Sequence, residues 1–124
     1  MNVRQWFLLA AAAGLTPIAL SYGLMPEVSL DFLFQLSVTD VNAVHIFRAV
    51  MGLYLALACF WIYGAINTEL TRPALHSLVV FMFGLALGRV LSILIDGVPA
   101  ALLVVYLLLE LGFGAVGVLL LKRN

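Results

Sequence analysis

Residues 76–121 read HSLVVFMFGLALGRVLSILIDGVPAALLVVYLLLELGFGAVGVLLL, two apolar runs joined by Asp96-Gly97-Val98-Pro99. Each run, taken as a helix rising about 1.5 Å per residue, is long enough to cross a hydrocarbon layer about 30 Å thick. A turn this short forces its flanking helices into an antiparallel hairpin. The stretch therefore predicts two membrane spans, over 73–95 and 99–121, the former started by Thr71 and Pro73.

Upstream, the same pattern recurs twice. A run over 41–66 follows Thr39 and Asp40, either of which suits an N-cap, and a run over 6–25 stops at Pro26. Thr16-Pro17 in the first run removes a backbone donor and predicts a kink, which packed neighbours tolerate in a membrane. Arg4 ahead of an apolar stretch also resembles a secretory leader. The run is too long for a leader core and has no clean small-residue cleavage site, so a retained helix is expected. Between the first two spans, Leu30, Phe32, Phe34, Leu36 and Val38 alternate with mostly polar residues, which suggests a strand. A lone strand cannot satisfy its backbone in hydrocarbon, so this segment must lie at the interface or against the bundle.

Composition agrees with four spans. Of 124 residues, 65% are hydrophobic and 10% charged, against about a quarter charged in soluble domains, and mean hydropathy is +1.20. The predicted fold is all-α, an integral membrane four-helix bundle forming one transmembrane domain over 1–124. Formal net charge is zero, which leaves no electrostatic footprint for nucleic acid. Cys59 is the lone cysteine, read as a small buried hydrophobe, so disulfides and cysteine metal sites are excluded. Arg4, Arg72, Lys122 and Arg123 fall on one side of a four-span layout, while Glu27, Asp31, Asp40 and Asp96 fall on the other. Basic loops favour the inner side, so both termini are expected in the cytoplasm. Trp6, Tyr22, Trp61 and Tyr63 near span ends read as interfacial belts. Gly84, Gly88, Gly114 and Gly117 read as sites of close helix approach.

Against this background, Arg48, Arg89 and Glu110 each put a charge inside the hydrocarbon. One such residue costs roughly 2.5–3.5 kcal/mol on insertion scales, so pairing is expected. Asn42, His45, Arg48 and Gly52 share one helical face, as do Arg89, Ser92 and Asp96, and as do Tyr106, Glu110 and Gly114. Arg48 and Arg89 each lie about 10 Å in from the outer helix ends, and Glu110 roughly 15 Å in. The faces should meet in the outer half of the bilayer, where the hydroxyls of Tyr54 and Tyr106 would join them. Two arrangements stay open. Arg48, Arg89, Glu110 and Asp96 form a closed network, or Asp96 is solvated elsewhere and two arginines sharing one carboxylate leave a pocket for an anion. His45 is a candidate proton carrier or a simple hydrogen-bonding partner of Asn42. His76 lies nearly a bilayer away, so the two histidines cannot ligate a haem, and no metal-ligand cluster, nucleophile motif or phosphate loop is readable.

The segments Asn42-Ala-Val-His45-Ile-Phe-Arg48-Ala-Val-Met-Gly52-Leu-Tyr54, Gly88-Arg89-Val-Leu-Ser92, Asp96-Gly97-Val98-Pro99 and Leu109-Glu110-Leu111 resemble a bacterial family of small four-span proteins, domain of unknown function 4345. The resemblance covers nearly the whole chain and implies a bacterial inner-membrane four-helix protein, without implying a reaction. The general layout is also similar, more loosely, to DoxX-like membrane proteins.

These readings favour a non-enzymatic, cofactor-free role. The cluster of Asn42, His45, Arg48, Tyr54, Arg89, Ser92, Asp96, Tyr106 and Glu110 would bind an anionic amphipathic ligand such as a lipid or fatty acid. The alternative is an accessory or assembly subunit of a larger membrane complex or homo-oligomer, with the cluster purely structural. A weaker one is a proton-coupled transporter with Glu110 as carrier.

Overall fold

The computed structural model describes residues 1–123. Its five helices are α1 (Val3–Gly23), α2 (Pro26–Phe34), α3 (Val41–Ile66), α4 (Thr68–Asp96) and α5 (Ala101–Lys122). Four of them, α1, α3, α4 and α5, are long and apolar enough to cross a membrane.

Local chemistry sets the helix ends. Asn2 and Gln5 form a reciprocal capping box at the start of α1, with Asn2 Oδ1 accepting from Gln5 N at 3.0 Å and Gln5 Oε1 from Asn2 N at 2.8 Å. Asp40 caps α3 by accepting from Asn42 N at 3.2 Å. Gly97 ends α4 at φ 99°, ψ −178°, backbone that essentially only glycine adopts.

Two expectations fail here. The alternating segment is no strand: residues 26–34 are α2, followed by an irregular strap over 35–40. Pro26 presets the first helical turn, and a helix satisfies its own backbone where a lone strand cannot. Only Pro26, Leu30 and, on the strap, Val38 are buried, whereas Phe32 is 80% exposed, so the alternation did not mark a packed face. The turn expected over 67–72 shrinks to Asn67. Its side chain accepts from Glu69 N at 3.0 Å, α4 starts at Thr68, and Pro73 lies inside the helix. Thr71 is buried instead of capping, and donates to Gly64 O at 2.6 Å across the α3–α4 corner.

Packing runs in the order α1, α3, α4, α5, and α1 also touches α4 lightly. At one end the helices close tightly. A Cβ added to Gly64 would meet Ala74 Cβ at 2.4 Å, and one on Gly117 would meet Val79 at 2.8 Å. Trp61 is 0% exposed, donates from Nε1 to Ser77 Oγ at 3.0 Å and stacks edge-on to Phe81 at 5.6 Å. It is core, and Tyr22, at 8% exposure, is core too. Trp6 and Tyr63 are exposed. Cys59, expected inside, is exposed on the outer face of α3.

The basic residues gather at this closed end. Arg4 Nε donates to Leu120 O at 3.0 Å and its Nη2 to Arg123 O, while Arg72 Nη2 donates to Leu121 O at 2.9 Å. Cations thus satisfy carbonyls that the last turn of α5 leaves orphaned, where the helix dipole also favours positive charge. The chain's two ends and the α3–α4 corner therefore share one end of the bundle.

Candidate binding site

At the opposite end α1 and α3 stay tight, with Met51 at 2.5 Å from a Cβ on Gly23, while the α3–α4 side loosens. Beyond Trp61 and Phe81, α3 and α4 splay, and Gly84 and Gly88 have no atom within 4 Å of where a Cβ would stand. Close approach, expected at Gly84, Gly88, Gly114 and Gly117, occurs at the last two of these, with Phe83 at 2.9 Å from a Cβ on Gly114.

Into this end of the bundle project Arg89 from α4 and Glu110 from α5. Arg89 Nε donates to Glu110 Oε1 at 2.9 Å and to Oε2 at 3.0 Å. Glu110 is 7% exposed and the Arg89 side chain 21%. The guanidinium carbon lies 5.7 Å from the Tyr106 ring centroid, a cation–π arrangement. Since α4 places Arg89 seven residues before its end, and α5 places Glu110 nine residues after its start, the pair sits about 10–14 Å in from the helix ends that flank the Asp96–Pro99 turn.

The carboxylate engages only part of the guanidinium. An arginine has five N–H donors in a planar fork, and a bidentate pairing engages two nitrogens. Here Nε alone serves the carboxylate, and the Nη atoms face the cleft, where the Tyr22 hydroxyl is the polar group set beside the guanidinium. The pair is formally neutral, yet it presents a directional donor edge.

That residue lies in the walls of two spaces. A narrow cavity of about 80 Å³ lies between α1, α4 and α5, lined by Gly14, Ile18, Tyr54, Arg89, Tyr106, Glu110 and Phe113 among others. A wider cleft of about 500 Å³ lies between α3 and α4, lined by Tyr22, Phe47, Tyr54, Gly84, Gly88, Arg89 and Ser92, and reaching Pro99 and Leu103 on the far side. Its volume falls in the usual small-ligand range of about 300–1,000 Å³. Tyr54 (5% exposed) and Arg89 border both. Tyr54 is held by rings, with Tyr22 at 5.8 Å and Phe81 at 5.1 Å, and its hydroxyl is not sealed off from the cavity space. At the mouth beside the Asp96–Pro99 turn, Phe34 at the end of α2 meets Tyr106 edge-on at 6.4 Å.

The structure therefore brings Tyr54, Arg89, Tyr106 and Glu110 together, with Ser92 at the cleft rim. It separates the others. Asn42, His45 and Arg48 are all exposed on α3, and no described carboxylate pairs with Arg48. Asp96, also exposed, accepts only from Ser92 Oγ, at 3.3 Å. Neither the closed four-charge network nor two arginines sharing Glu110 forms. The physical reason lies in α3, which turns its bulky residues inward. Tyr54, Ala58 and Trp61 are buried and Phe47 packs on them, which points Arg48 outward. Arginine near a helix end tolerates that by extending its charged head toward the interface.

Tyr22 was missed as a site residue because its place near a helix end resembled a belt. The signal was there: Ala11, Leu15, Ile18 and Tyr22 step by four, three and four along one face of α1. The cleft lining by Gly84 and Gly88 had no signal, since glycine spacing reads alike for close contact and for open space. Among the described residues, no group of His, Cys, Asp and Glu is placed to hold a metal ion.

Neither a curated protein nor a solved structure matches the chain. A protein family does, over residues 3–121, and that span includes every helix but the last residue of α5. The chain that carries this Arg89–Glu110 pair belongs to the family described as Domain of unknown function (DUF4345).

Proposed function

We propose that this is a multi-pass membrane protein that binds an anionic amphipathic ligand, a lipid or fatty acid, at Arg89. One observation carries the reading: the guanidinium is fixed by Glu110 through Nε alone, and its remaining donors border two cavities with otherwise apolar and aromatic walls. Such walls suit an acyl chain, and a charge-assisted fork suits a carboxylate or phosphate. With the basic end inside, by the bias of cytoplasmic loops, the site lies in the outer half of a bacterial inner membrane. Glu110 keeps the empty site near neutral, which makes an unliganded arginine tolerable in hydrocarbon.

The test is mass spectrometry of the protein purified in mild detergent. Wild type should carry a stoichiometric acyl anion, Arg89→Lys less of it, and Arg89→Ala none, with helicity and monodispersity checked for each. A wild type that retains no more than Arg89→Ala or Arg89→Lys overturns the reading.

A second reading has its own support. Asn42, His45 and Arg48 form a polar, exposed face on α3 in the same half of the membrane. That face favours an accessory subunit whose partner supplies an acceptor for Arg48. Crosslinking from Asn42→Cys in a Cys59→Ser background should then trap a partner, and an uncrosslinked protein would count against it.

A further inference from the structure

We infer that the ligand enters sideways from the membrane, one acyl chain passing between α3 and α4 over Gly84 and Gly88 until its anion meets the Nη edge of Arg89. This rests on the binding reading above and adds the route and the ligand class, an acyl-chain anion already dissolved in the bilayer.

Four observations converge on this cleft. First, α3 and α4 are locked at the basic end by Gly64 against Ala74 and by Trp61 on Ser77, so their separation widens toward the other end. Second, Gly84, Gly88 and Ser92 are exposed and line the cleft, which makes it open on the membrane-facing side of the hairpin and not only at its mouth beside the turn. Open space stands where both glycine side chains would be, on the path to Arg89 one residue further on. Third, the end route is encumbered: α2 and its strap lie across that mouth, with Phe34 against Tyr106 and Val38 buried. Fourth, Tyr54 is 5% exposed and borders the cleft beside Arg89, with a hydroxyl that is not sealed off from it. A carboxylate or phosphate arriving there gains two Nη donors and a phenol, the donor set an oxyanion takes. The chain behind it meets Phe47, Val50 and Leu85.

The glycines provide a test that separates function from folding. Glycine inside a helix is unfavourable relative to other residues, and at Gly84 and Gly88 added atoms meet nothing within 4 Å. Filling the cleft should therefore leave the protein at least as stable while closing the route. The protein is reconstituted in phosphatidylcholine vesicles carrying either a diazirine-bearing fatty acid or a diazirine-bearing phosphatidylglycerol, irradiated and mapped by peptide mass spectrometry. Wild type should label on α4 between Gly84 and Ser92 and near Tyr54. Gly84→Leu with Gly88→Leu should lower that labelling at least tenfold, with thermal stability unchanged or raised. Gly84→Ala with Gly88→Ala, a smaller plug, should lower it partially. Labelling by the fatty acid alone assigns the carboxylate as the anion, and labelling by the phospholipid assigns the phosphate. Undiminished labelling in the leucine variant, or labelling concentrated on α1 and α5, overturns the inference. If the leucine variant still retains an acyl anion that Arg89→Ala loses, the route is wrong and the binding reading stands. If neither variant differs from wild type, both fall.

Discussion

Removing Glu110 should reveal how much of the fold depends on one buried pair. Glu110→Ala strands the Arg89 guanidinium without the acceptor that takes its Nε–H at 2.9 and 3.0 Å. Breaking a buried ion pair by truncating one partner costs about 3–5 kcal/mol in soluble proteins, and one charge in a membrane helix about 2.5–3.5 kcal/mol on insertion scales. Arg89 keeps 21% of its side-chain surface and borders two cavities, so water can partly hydrate the orphan. The expected loss is therefore near the lower figures, about 2–3 kcal/mol. Arg89→Met with Glu110→Met replaces both charges by apolar groups of similar size and should recover most of that, because neither group is left without a partner. The assay is a double-mutant cycle of reversible unfolding in mixed micelles followed by helicity. A coupling of at least about 1.5 kcal/mol is expected, a value within the usual range for contacting groups. Additive effects, or a Glu110→Ala loss below about 0.5 kcal/mol, a surface-like value, would refute a paired, desolvated site.

Other substitutions discriminate between neighbouring positions. Arg48→Leu should leave both stability and any Arg89-dependent ligand untouched, since Arg48 is exposed and unpaired among the described residues; loss of ligand, read by mass spectrometry, would return it to the site. Gly114→Leu should destabilise by about 1–3 kcal/mol in the same unfolding assay, because a Cβ there lies 2.9 Å from the Phe83 ring in a packed contact. Gln35→Gly should stabilise by up to about 1 kcal/mol, since Gln35 holds φ 53° at the end of α2, where left-handed backbone is costly for residues with a Cβ. Cys59 should react with an apolar maleimide in micelles without denaturant, and protection until unfolding would place it inside.

The spans were legible because hydropathy and length act on whole runs, and no packing detail can reverse twenty apolar residues. The hairpin at Asp96–Pro99 came with them. What misled was spacing read as destination. The face shared by Asn42, His45 and Arg48 is real, but which face of α3 turns inward depends on the summed area of Phe47, Tyr54 and Trp61, weighed against an arginine able to reach the interface. Arg89 and Glu110 were legible as members of one charged cluster, but depth did not separate Arg89 from Arg48, since each lies seven residues from a helix end. The helix at 26–34 was hidden by an accidental alternation, although Pro26 followed by Glu27 is an ordinary helix start. The cleft-facing guanidinium edge and the unsealed Tyr54 hydroxyl are matters of ångströms, beyond what residue order encodes on its own.

The clasp that Arg4 and Arg72 place on the tail of α5 also sets a schedule for biogenesis. Arg4 is synthesised 116 residues before its acceptor Leu120 and 119 before its acceptor Arg123. At about 5–20 residues per second, roughly 6–25 seconds separate them. During that interval α1 and α3 have already met, because their extensive interface needs only the first 66 residues. A ribosome that stalls after residue 100 would leave Arg89 inserted before Glu110 exists, with Arg4 and Arg72 still lacking their carbonyls. Until α5 arrives, the nascent bundle carries an unlatched seam and an unneutralised arginine, and membrane quality control would meet it in that form.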